Sequence, residues 1–450
     1  MSLPFTPFIK ARLHVLSVSI PVVCACLFAV PSHAGTADSA SSPLTLKHAQ
    51  QASLARSRQI AAQDFAIDAS REMALAAGQR PDPVLKFGVD NLPVSGTDRF
   101  NLNNDFMTMR RVGVMQELTR ADKRASRSER YTRMADKSAA DKNLAIANLQ
   151  RDTALAWLDR YYAEQSLIIL SELTAQARRE VDAADAAYRG GKGNQAEVLA
   201  ARSTLVGIDD RSSEARRKLA NAKAMLARWS GLSVDVTLAG APVMETIRLN
   251  PATLDIELDH HPEITALRMQ EAVAQADVKV AQAEKKSDWT VELAYQQRGP
   301  AYSNMVSVGV SIPIQWNQKN RQDREVAAKL ATVEQAKAER EDMLRAHVAE
   351  TRVMINEWEN GRERIARHTK ELRPLAQQRT EATVAAYRGG KATLTDVLTA
   401  RRAETDLLLQ IVQLQAETAM RWARLNYLLP DQTAVAPMDM DAMHPQGDAK

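Results

Sequence analysis

Cysteine is almost absent from this sequence. The chain of 450 residues contains two, Cys24 and Cys26, and both lie in an N-terminal segment that we expect to be removed on export. A mature chain without thiols forms neither a disulfide nor a thiolate metal site. Aromatic residues are also scarce, at 5% of a chain that is 45% hydrophobic. This composition favours long helices rich in Ala, Leu, Gln and Glu over a compact mixed core.

Residues 1 to 34 have the pattern of a secretory signal peptide. Lys10 and Arg12 precede an apolar run, and Ala34 completes a small-x-small cleavage site. Lipidation of Cys26 is an alternative, but the apolar run continues past it, so we favour cleavage after Ala34. Removal of this segment lowers the formal net charge from +4 to +2. A charge so close to zero offers no basis for binding nucleic acid.

Beyond the signal, no uncharged apolar stretch approaches the ~18 residues that a membrane-spanning helix needs. A membrane crossing by this chain therefore requires strands that close into a barrel, since open sheet edges cannot face lipid.

Catalytic signatures are missing as well: there is no Gly-x-Ser-x-Gly, no phosphate-cradling loop and no His-Glu-x-x-His. The pair His260 and His261 precedes Pro262, where we expect it to end a linker rather than bind a metal. We therefore expect no enzyme and no cofactor.

What the sequence does contain is an internal repeat. The heptapeptide Ala-Ala-Tyr-Arg-Gly-Gly-Lys occupies residues 186 to 192 and again 385 to 391, and similar residues follow both copies in register. Self-similarity of this kind indicates a duplicated structural unit. We divide the mature chain into a first repeat, 35–245, and a second, 246–430, each ordered as helix, β-hairpin and long helical hairpin. Residues 431–450 are predicted to form a disordered tail.

Alternation of apolar and polar side chains predicts a β-hairpin in each repeat. The apolar residues fall at odd positions from 289 to 295 and at even positions from 306 to 314, while the first repeat has a strand around Phe87 and another near residues 106 to 117. We expect the apolar face to contact lipid. The positions assigned to that face are Val291, Leu293, Val306, Val308, Val310 and Ile312.

Each predicted hairpin is followed by an unusually long helical stretch. Residues 118 to 189 contain neither Gly nor Pro, and a continuous helix of that length extends about 108 Å. The counterpart, 319 to 388, is interrupted only by Gly361 and by Pro374, and we expect a bend at Pro374. A Gly pair ends each stretch, at 190/191 and at 389/390, and a second helix is predicted to run back from each. Helices this long need partner helices along their whole length.

These features together resemble the TolC-type outer-membrane factor family. The most specific element is Tyr-x-x-Gly-x₅-Asp-Val-Leu-x-Ala, matched in full from Tyr387 to Ala400 and, with Glu for Asp, from Tyr188 to Ala201. The segment from 81 to 117 looks like the heavy-metal efflux branch of this family. The resemblance implies a mainly α fold with β: a homotrimer whose twelve-stranded outer-membrane β-barrel is continued by a long periplasmic α-helical barrel, with two structural repeats per chain.

The resemblance also implies a function. The chain would be the outer-membrane channel of a tripartite efflux system in a Gram-negative cell, passively exporting heavy-metal ions such as copper or silver. Its partners would be outer-membrane lipid, a periplasmic adaptor and an inner-membrane RND-type pump. Two alternatives stay open. One is a type I secretion or multidrug efflux duct of the same fold, and the other is a periplasmic coiled-coil adaptor or scaffold, which is disfavoured because such adaptors usually have one helical hairpin.

In the family the helical turns form a periplasmic tip that acts as a gate. The positions carried over to this chain are Tyr188, Gly191, Glu197, Leu199, Tyr387, Gly390, Asp396 and Leu398. The resemblance implies that the hydroxyl of Tyr387 bonds the carboxylate of Glu197, with Asp396 near the narrowest part of the lumen. Ala392 and Thr399 stand where some members have Arg and Asp, so we expect a less acidic and differently latched gate.

The C-terminal tail offers the only metal ligands that we single out. Thioether and imidazole groups suit soft Cu(I) or Ag(I). The alternative is a disordered polar tail that happens to contain methionine. The residues concerned are Met438, Met440, Met443 and His444.

Overall fold

The structure is a computed structural model, and it describes residues 43 to 431. The expected signal segment, Cys26 and the tail candidates Met438, Met440, Met443 and His444 lie outside the described residues. The part described is mainly helical, with one small antiparallel sheet, and its elements occur in the same order in two successive repeats.

The first repeat contains four helices and two strands. They are α1 (Leu46–Arg56), α2 (Arg58–Ala77), β1 (Val84–Asp90), β2 (Met109–Leu118), α3 (Ala121–Arg189) and α4 (Gln195–Ser230). The second repeat has the same order of elements, but its long helix is divided in two. Its elements are α5 (Leu254–Asp259), α6 (Pro262–Glu284), β3 (Trp289–Gln297), β4 (Met305–Ser311), α7 (Gln322–Arg367), α8 (Arg373–Arg388) and α9 (Leu394–Asn426).

The first helical stretch is broken where the sequence predicted continuity. Ser57 has an extended backbone, and its side chain accepts a hydrogen bond from the Ile60 N–H, which ends α1 and begins α2. Just before Pro374, where the sequence predicts a bend, the structure has a single π-helical turn, His368–Leu372, between α7 and α8. Proline has no N–H and its ring crowds the carbonyl one turn earlier, so the helix widens locally to accommodate it.

The strand predicted to run to residue 314 is shorter in the structure. β4 ends at Ser311, because Pro313 cannot donate a ladder hydrogen bond. Ile312, assigned above to the lipid-facing barrel, therefore lies just beyond the strand, although its side chain is exposed.

The four strands form one sheet in the order β1-β2-β3-β4, and all neighbours are antiparallel. The central pairing, β2 with β3, joins the two repeats and sets Val114 opposite Leu293. Strands β1 and β4 are the edges of this sheet within the described chain. Neither hairpin is therefore a separate sheet, and the two repeats share one.

Helix α3 is the helix against which most of the other helices pack. It has 69 residues, which corresponds to about 104 Å, and it packs against α1, α2, α4, α6 and α9. Its mid-section carries the main core around Trp157, which is fully buried and whose Nε1 donates to the Leu44 carbonyl at 3.1 Å. Trp422 on α9 similarly donates to the Thr246 carbonyl at 2.8 Å. The segments before α1 and before α5 are thereby fixed against the long helices.

A buried cation joins the helices to the start of β3. The Nζ of Lys123 lies 2.6 Å from Asp288 and 3.1 Å from Glu284. Burial alone would lower the pKa of Lys123, but the bonds to Asp288 and Glu284 outweigh it and raise that pKa. Burial tends to raise the pKa of Asp288, and the bonds from Lys123 and from the Arg120 N–H bring it below its usual value. The fold therefore favours the charged forms of both Lys123 and Asp288.

Helices α7 and α9 approach closely at Gly361. A Cβ added there would lie 2.4 Å from the Oγ1 of Thr418, so only glycine fits without displacing that side chain. The Thr418 hydroxyl donates to the Leu414 carbonyl at 2.7 Å within α9. Gly361 is thus explained by helix packing.

None of the helices between residues 43 and 431 combines the length and the apolar character needed to cross a membrane.

Candidate functional site

One face of the sheet is apolar and almost entirely exposed. Cross-strand neighbours on this face form two rows that run through all four strands, and each of these side chains is between 46% and 72% exposed. The rows are Leu85, Val114, Leu293 and Val308, and Phe87, Val112, Tyr295 and Val306. Val310 is exposed on the same face, and Val291 is half-buried there. Monomeric soluble proteins rarely expose a contiguous apolar surface of this kind.

The opposite face of the sheet is polar. Glu292 on β3 lies 3.0 Å from the Nζ of Lys86 on β1 and forms an ion pair with Arg111 on β2. Asp90 lies 3.8 Å from Arg111 on the same side. The sheet thus has one surface suited to hydrocarbon and one suited to water.

The two helical turns at the far end have the same backbone geometry. In each, the second glycine of the pair is left-handed, with φ of +69° at Gly191 and +71° at Gly390. The N–H of the following Lys bonds to the carbonyl five residues earlier, at 2.9 Å in the first turn and 2.8 Å in the second. This is a Schellman motif, which requires a left-handed residue at its second glycine. The repeated heptapeptide therefore encodes a repeated turn.

The helices that leave the two turns begin with different caps. Asn194 accepts from the Glu197 N–H at 2.9 Å, and its side-chain N–H₂ donates to the Glu197 carboxylate at 3.3 Å. In the second turn Thr393 and Asp396 form a reciprocal capping box. The Thr393 backbone N–H, together with its hydroxyl, holds the pKa of Asp396 below its usual range. Both acidic tip residues are thereby engaged in starting a helix.

The structure does not form the bond expected between Tyr387 and Glu197. Within the described residues the Glu197 carboxylate is held by Asn194 of its own turn, and the Tyr387 side chain makes no hydrogen bond and is 37% exposed. The two tip leucines also differ. Leu398 is buried in a small core with Val198 and Leu394, whereas Leu199 is 58% exposed. Tyr188, the counterpart of Tyr387, is exposed as well.

One cluster was missed by reasoning from the sequence. His261, expected to end a linker, lies 5% exposed beside His347, 86 positions later in the chain, and Glu263 completes the group. The side chain of His261 accepts from the Glu263 N–H and caps α6, and burial lowers the pKa of His261 to about 4. No signal in the local sequence connects His347 with this site, because the contact depends on how α6 packs against α7.

Comparison with known proteins is consistent with the architecture. A family model described as outer membrane efflux protein matches residues 49–232 and 253–429, one segment in each repeat. No curated protein matches the sequence.

Several solved structures have the same fold. The outer-membrane channel OprN matches with a TM-score of 0.72 and 17% identity, over 86% of this chain and 90% of that one. CusC, described in connection with transmembrane channel formation, matches with a TM-score of 0.71 and 14% identity, over 86% and 92%. The outer membrane protein VceC of Vibrio cholerae matches with a TM-score of 0.69 and 18% identity, over 85% and 95%.

Proposed function

The chain belongs to the outer membrane efflux protein family, and from that premise we propose that it is the outer-membrane channel of a tripartite efflux system. In this proposal it receives substrate from an inner-membrane RND-type pump through a periplasmic adaptor and supplies no energy itself. Its place is the outer membrane of a Gram-negative cell, with the helices in the periplasm.

The observation that carries this proposal is the exposed apolar face of the four-stranded sheet. Side chains such as Phe87 and Val308 on this face are mostly exposed, at 72% and 71%. In water this face would cost about 25 cal/mol for each Å² of apolar area left uncovered. Hydrocarbon lipid removes that cost, and the ion pairs of the other face then lie toward an aqueous lumen.

The open edges of the sheet support a trimer. β1 and β4 leave unpaired backbone groups, and such groups are not tolerated against lipid. Pairing of β4 of one protomer with β1 of the next satisfies both edges. Three protomers of four strands give a twelve-stranded barrel, and the helices below continue as a tube.

Two adjacent residues of β4 test the membrane proposal. Since Cys24 and Cys26 are the only cysteines of the chain, a single introduced cysteine in the mature protein carries a unique label. We expect a spin label at Val308→Cys to be reached by oxygen dissolved in a reconstituted bilayer and hardly by an aqueous nickel chelate. Ser307→Cys, on the opposite face, should show the reverse. Equal access of the chelate to both labels would exclude lipid contact at this face.

We further propose heavy-metal ions such as copper or silver as the cargo. Support comes from the resemblance of residues 81 to 117 to the heavy-metal branch and from the ligand chemistry of Met438, Met440, Met443 and His444. The test is deletion of the gene followed by growth on graded copper, silver, zinc and cobalt and on a drug panel. Sensitivity to drugs without sensitivity to metals would favour the multidrug alternative.

We also propose that the two Schellman turns form the periplasmic tip at which an adaptor docks and the duct opens. The length of α3 supports this, because about 104 Å of helix separates the turns from the sheet. The latch implied by the resemblance is revised accordingly: in this protomer the Tyr387 side chain makes no hydrogen bond and is 37% exposed, so it is available to bond a neighbouring subunit. Tyr387→Phe should then raise the open probability of single channels, whereas Tyr188→Phe serves as the control from the other turn.

A further inference from the structure

Three potential metal ligands converge at the seam between α6 and α7. His261 is the N-cap of α6, Glu263 lies in its first turn, and His347 projects from α7. One ligand atom from each lies within 4.8 Å of the other two. Among residues 43 to 431 this is the one group of three or more His, Cys, Asp or Glu side chains that meets this distance.

A hydrogen bond and a ring contact hold the three side chains next to one another. The Nε2 of His347 lies 2.9 Å from a carboxylate oxygen of Glu263, and the rings of His261 and His347 have centroids 4.6 Å apart. His261 is nearly inaccessible to solvent, and the side chain of His347 is 14% exposed. The Glu263 side chain is 37% exposed, so the two shielded imidazoles face a carboxylate that solvent reaches.

We propose that His261, Glu263 and His347 bind a divalent transition-metal cation of the zinc type, with water in the remaining position. Two imidazole nitrogens and one carboxylate oxygen form a ligand set that such cations accept. In a tetrahedral site ligand atoms about 2.0 to 2.2 Å from the metal lie roughly 3.3 to 3.6 Å apart. The three ligand atoms lie within 4.8 Å of one another, so side-chain rotations must bring them to that spacing around the metal.

Protons and charge can both be accounted for. In the metal-free chain a proton bridges His347 Nε2 and the Glu263 carboxylate, and the Nδ1 of His261 accepts the Glu263 N–H at 3.2 Å. On binding, the Nε2 proton of His347 moves to its other ring nitrogen, and His261 exchanges the long N–H contact for the metal. Arg151 lies near enough to act electrostatically on His261, and it also forms an ion pair with Asp152 at 2.9 Å. The site therefore gains one cation beside one carboxylate.

Such a cation would tie the beginning of α6 to the middle of α7. A ligand that binds only the folded chain stabilises it by an amount that grows with its concentration above Kd. The bound metal would thus strengthen the seam between two helices of the second repeat. This inference concerns a resident cation and does not rest on the proposed function or on the nature of the cargo.

Calorimetric titration with zinc chloride tests the site. The full mature chain is purified as the assembled protein with a tag that lacks histidine, and bound metal is removed with a chelator. The variants are His347→Ala and Glu263→Gln, and the matched control is His260→Ala, the exposed neighbour of His261. We expect one zinc ion per chain for the wild type and the control. Both site variants should bind at least roughly tenfold more weakly.

A second measurement separates loss of the site from loss of the fold. Co²⁺ bound by these nitrogen and oxygen ligands gives visible ligand-field absorption, which should be present in the wild type and His260→Ala and absent in Glu263→Gln. The Gln side chain keeps the size of Glu, so this variant should elute as the same assembly in gel filtration. Binding by the tail, including His444, contributes equally to every variant. Absence of zinc uptake by the wild type, or equal uptake by His347→Ala, overturns the proposal.

Discussion

The two adjacent glycines of the second tip turn should respond differently to the same substitution. Gly389 has φ of −83°, which alanine adopts freely, whereas Gly390 has φ of +71°. A Cβ at Gly390 would meet no atom within 4 Å, and one at Gly389 would lie 3.5 Å from the Ala385 carbonyl oxygen, an ordinary contact. Backbone strain is therefore the main term that separates Gly390→Ala from Gly389→Ala.

The magnitude follows from this comparison. Both substitutions restrict the unfolded chain equally and stabilise by about 0.4–1 kcal/mol on that account. Only Gly390→Ala forces a side-chain-bearing residue into the left-handed region, at about 1–2 kcal/mol. The difference between the two variants corresponds to a factor of about 5–30 in the equilibrium for opening the turn.

Hydrogen exchange of the assembled protein measures that opening. The amide of Lys391 bonds to the Ala386 carbonyl at 2.8 Å, and that of Gly390 to the Tyr387 carbonyl at 3.0 Å. We expect the peptide that carries these amides to exchange about 5–30 times faster in Gly390→Ala than in Gly389→Ala. Equal exchange in both variants would refute the argument from backbone conformation. The pair Gly190→Ala and Gly191→Ala repeats the experiment in the first turn.

Three further predictions concern packing and pH. Gly361→Ala should destabilise the folded protein by about 1–3 kcal/mol through overpacking, less the ~1 kcal/mol that alanine gains over glycine in a helix. Thr418→Ala should relieve the overpacking and restore stability. A double-mutant cycle of melting temperatures measures the coupling between the two positions. Trp157→Ala should cost about 3–5 kcal/mol and speed proteolysis near α1, since Trp157 fixes the segment before that helix. The carboxyl of Asp288 has a lowered folded pKa, so its bond to Lys123 stabilises above pH ~4 and is lost as the pH falls further. Asp288→Asn should therefore melt at a lower temperature than the wild type at pH 7, and this difference should shrink toward zero below pH ~4. A difference that stays the same in acid would contradict the prediction.

The local features of this fold could be predicted from sequence. The heptapeptide repeat and its Gly pairs located both turns, because only glycine satisfies a left-handed position without strain. Alternation identified the exposed face of the sheet through residues such as Leu293 and Val308. Helix and strand ends followed from the same local signals, with errors where a capping side chain or a proline intervened, as at Ser57 and Ile312.

Features that depend on packing between distant segments were not predictable. The expected bond between Tyr387 and Glu197 is absent from the described protomer, where the Glu197 carboxylate accepts instead from Asn194 of its own turn. His261 caps α6, in keeping with its expected place at the end of a linker, but its neighbour His347 is supplied by α7 and could not be predicted from the local sequence. Single-sequence patterns describe what a residue does along its own element, and these contacts arise across elements.

The shared sheet also sets the order in which the molecule can be built. Val114 and Leu293, paired in the sheet, lie about 180 residues apart, whereas Leu85 and Val114 are about 30 apart. Closing the longer loop in a flexible chain costs about 1.5 kcal/mol more. Because α3 packs against both α2 and α6, helices that form first carry β2 and β3 toward each other and lower that cost. We therefore expect the long helices to act as the template on which the four strands are aligned, and the sheet to be the last part of the described chain to form.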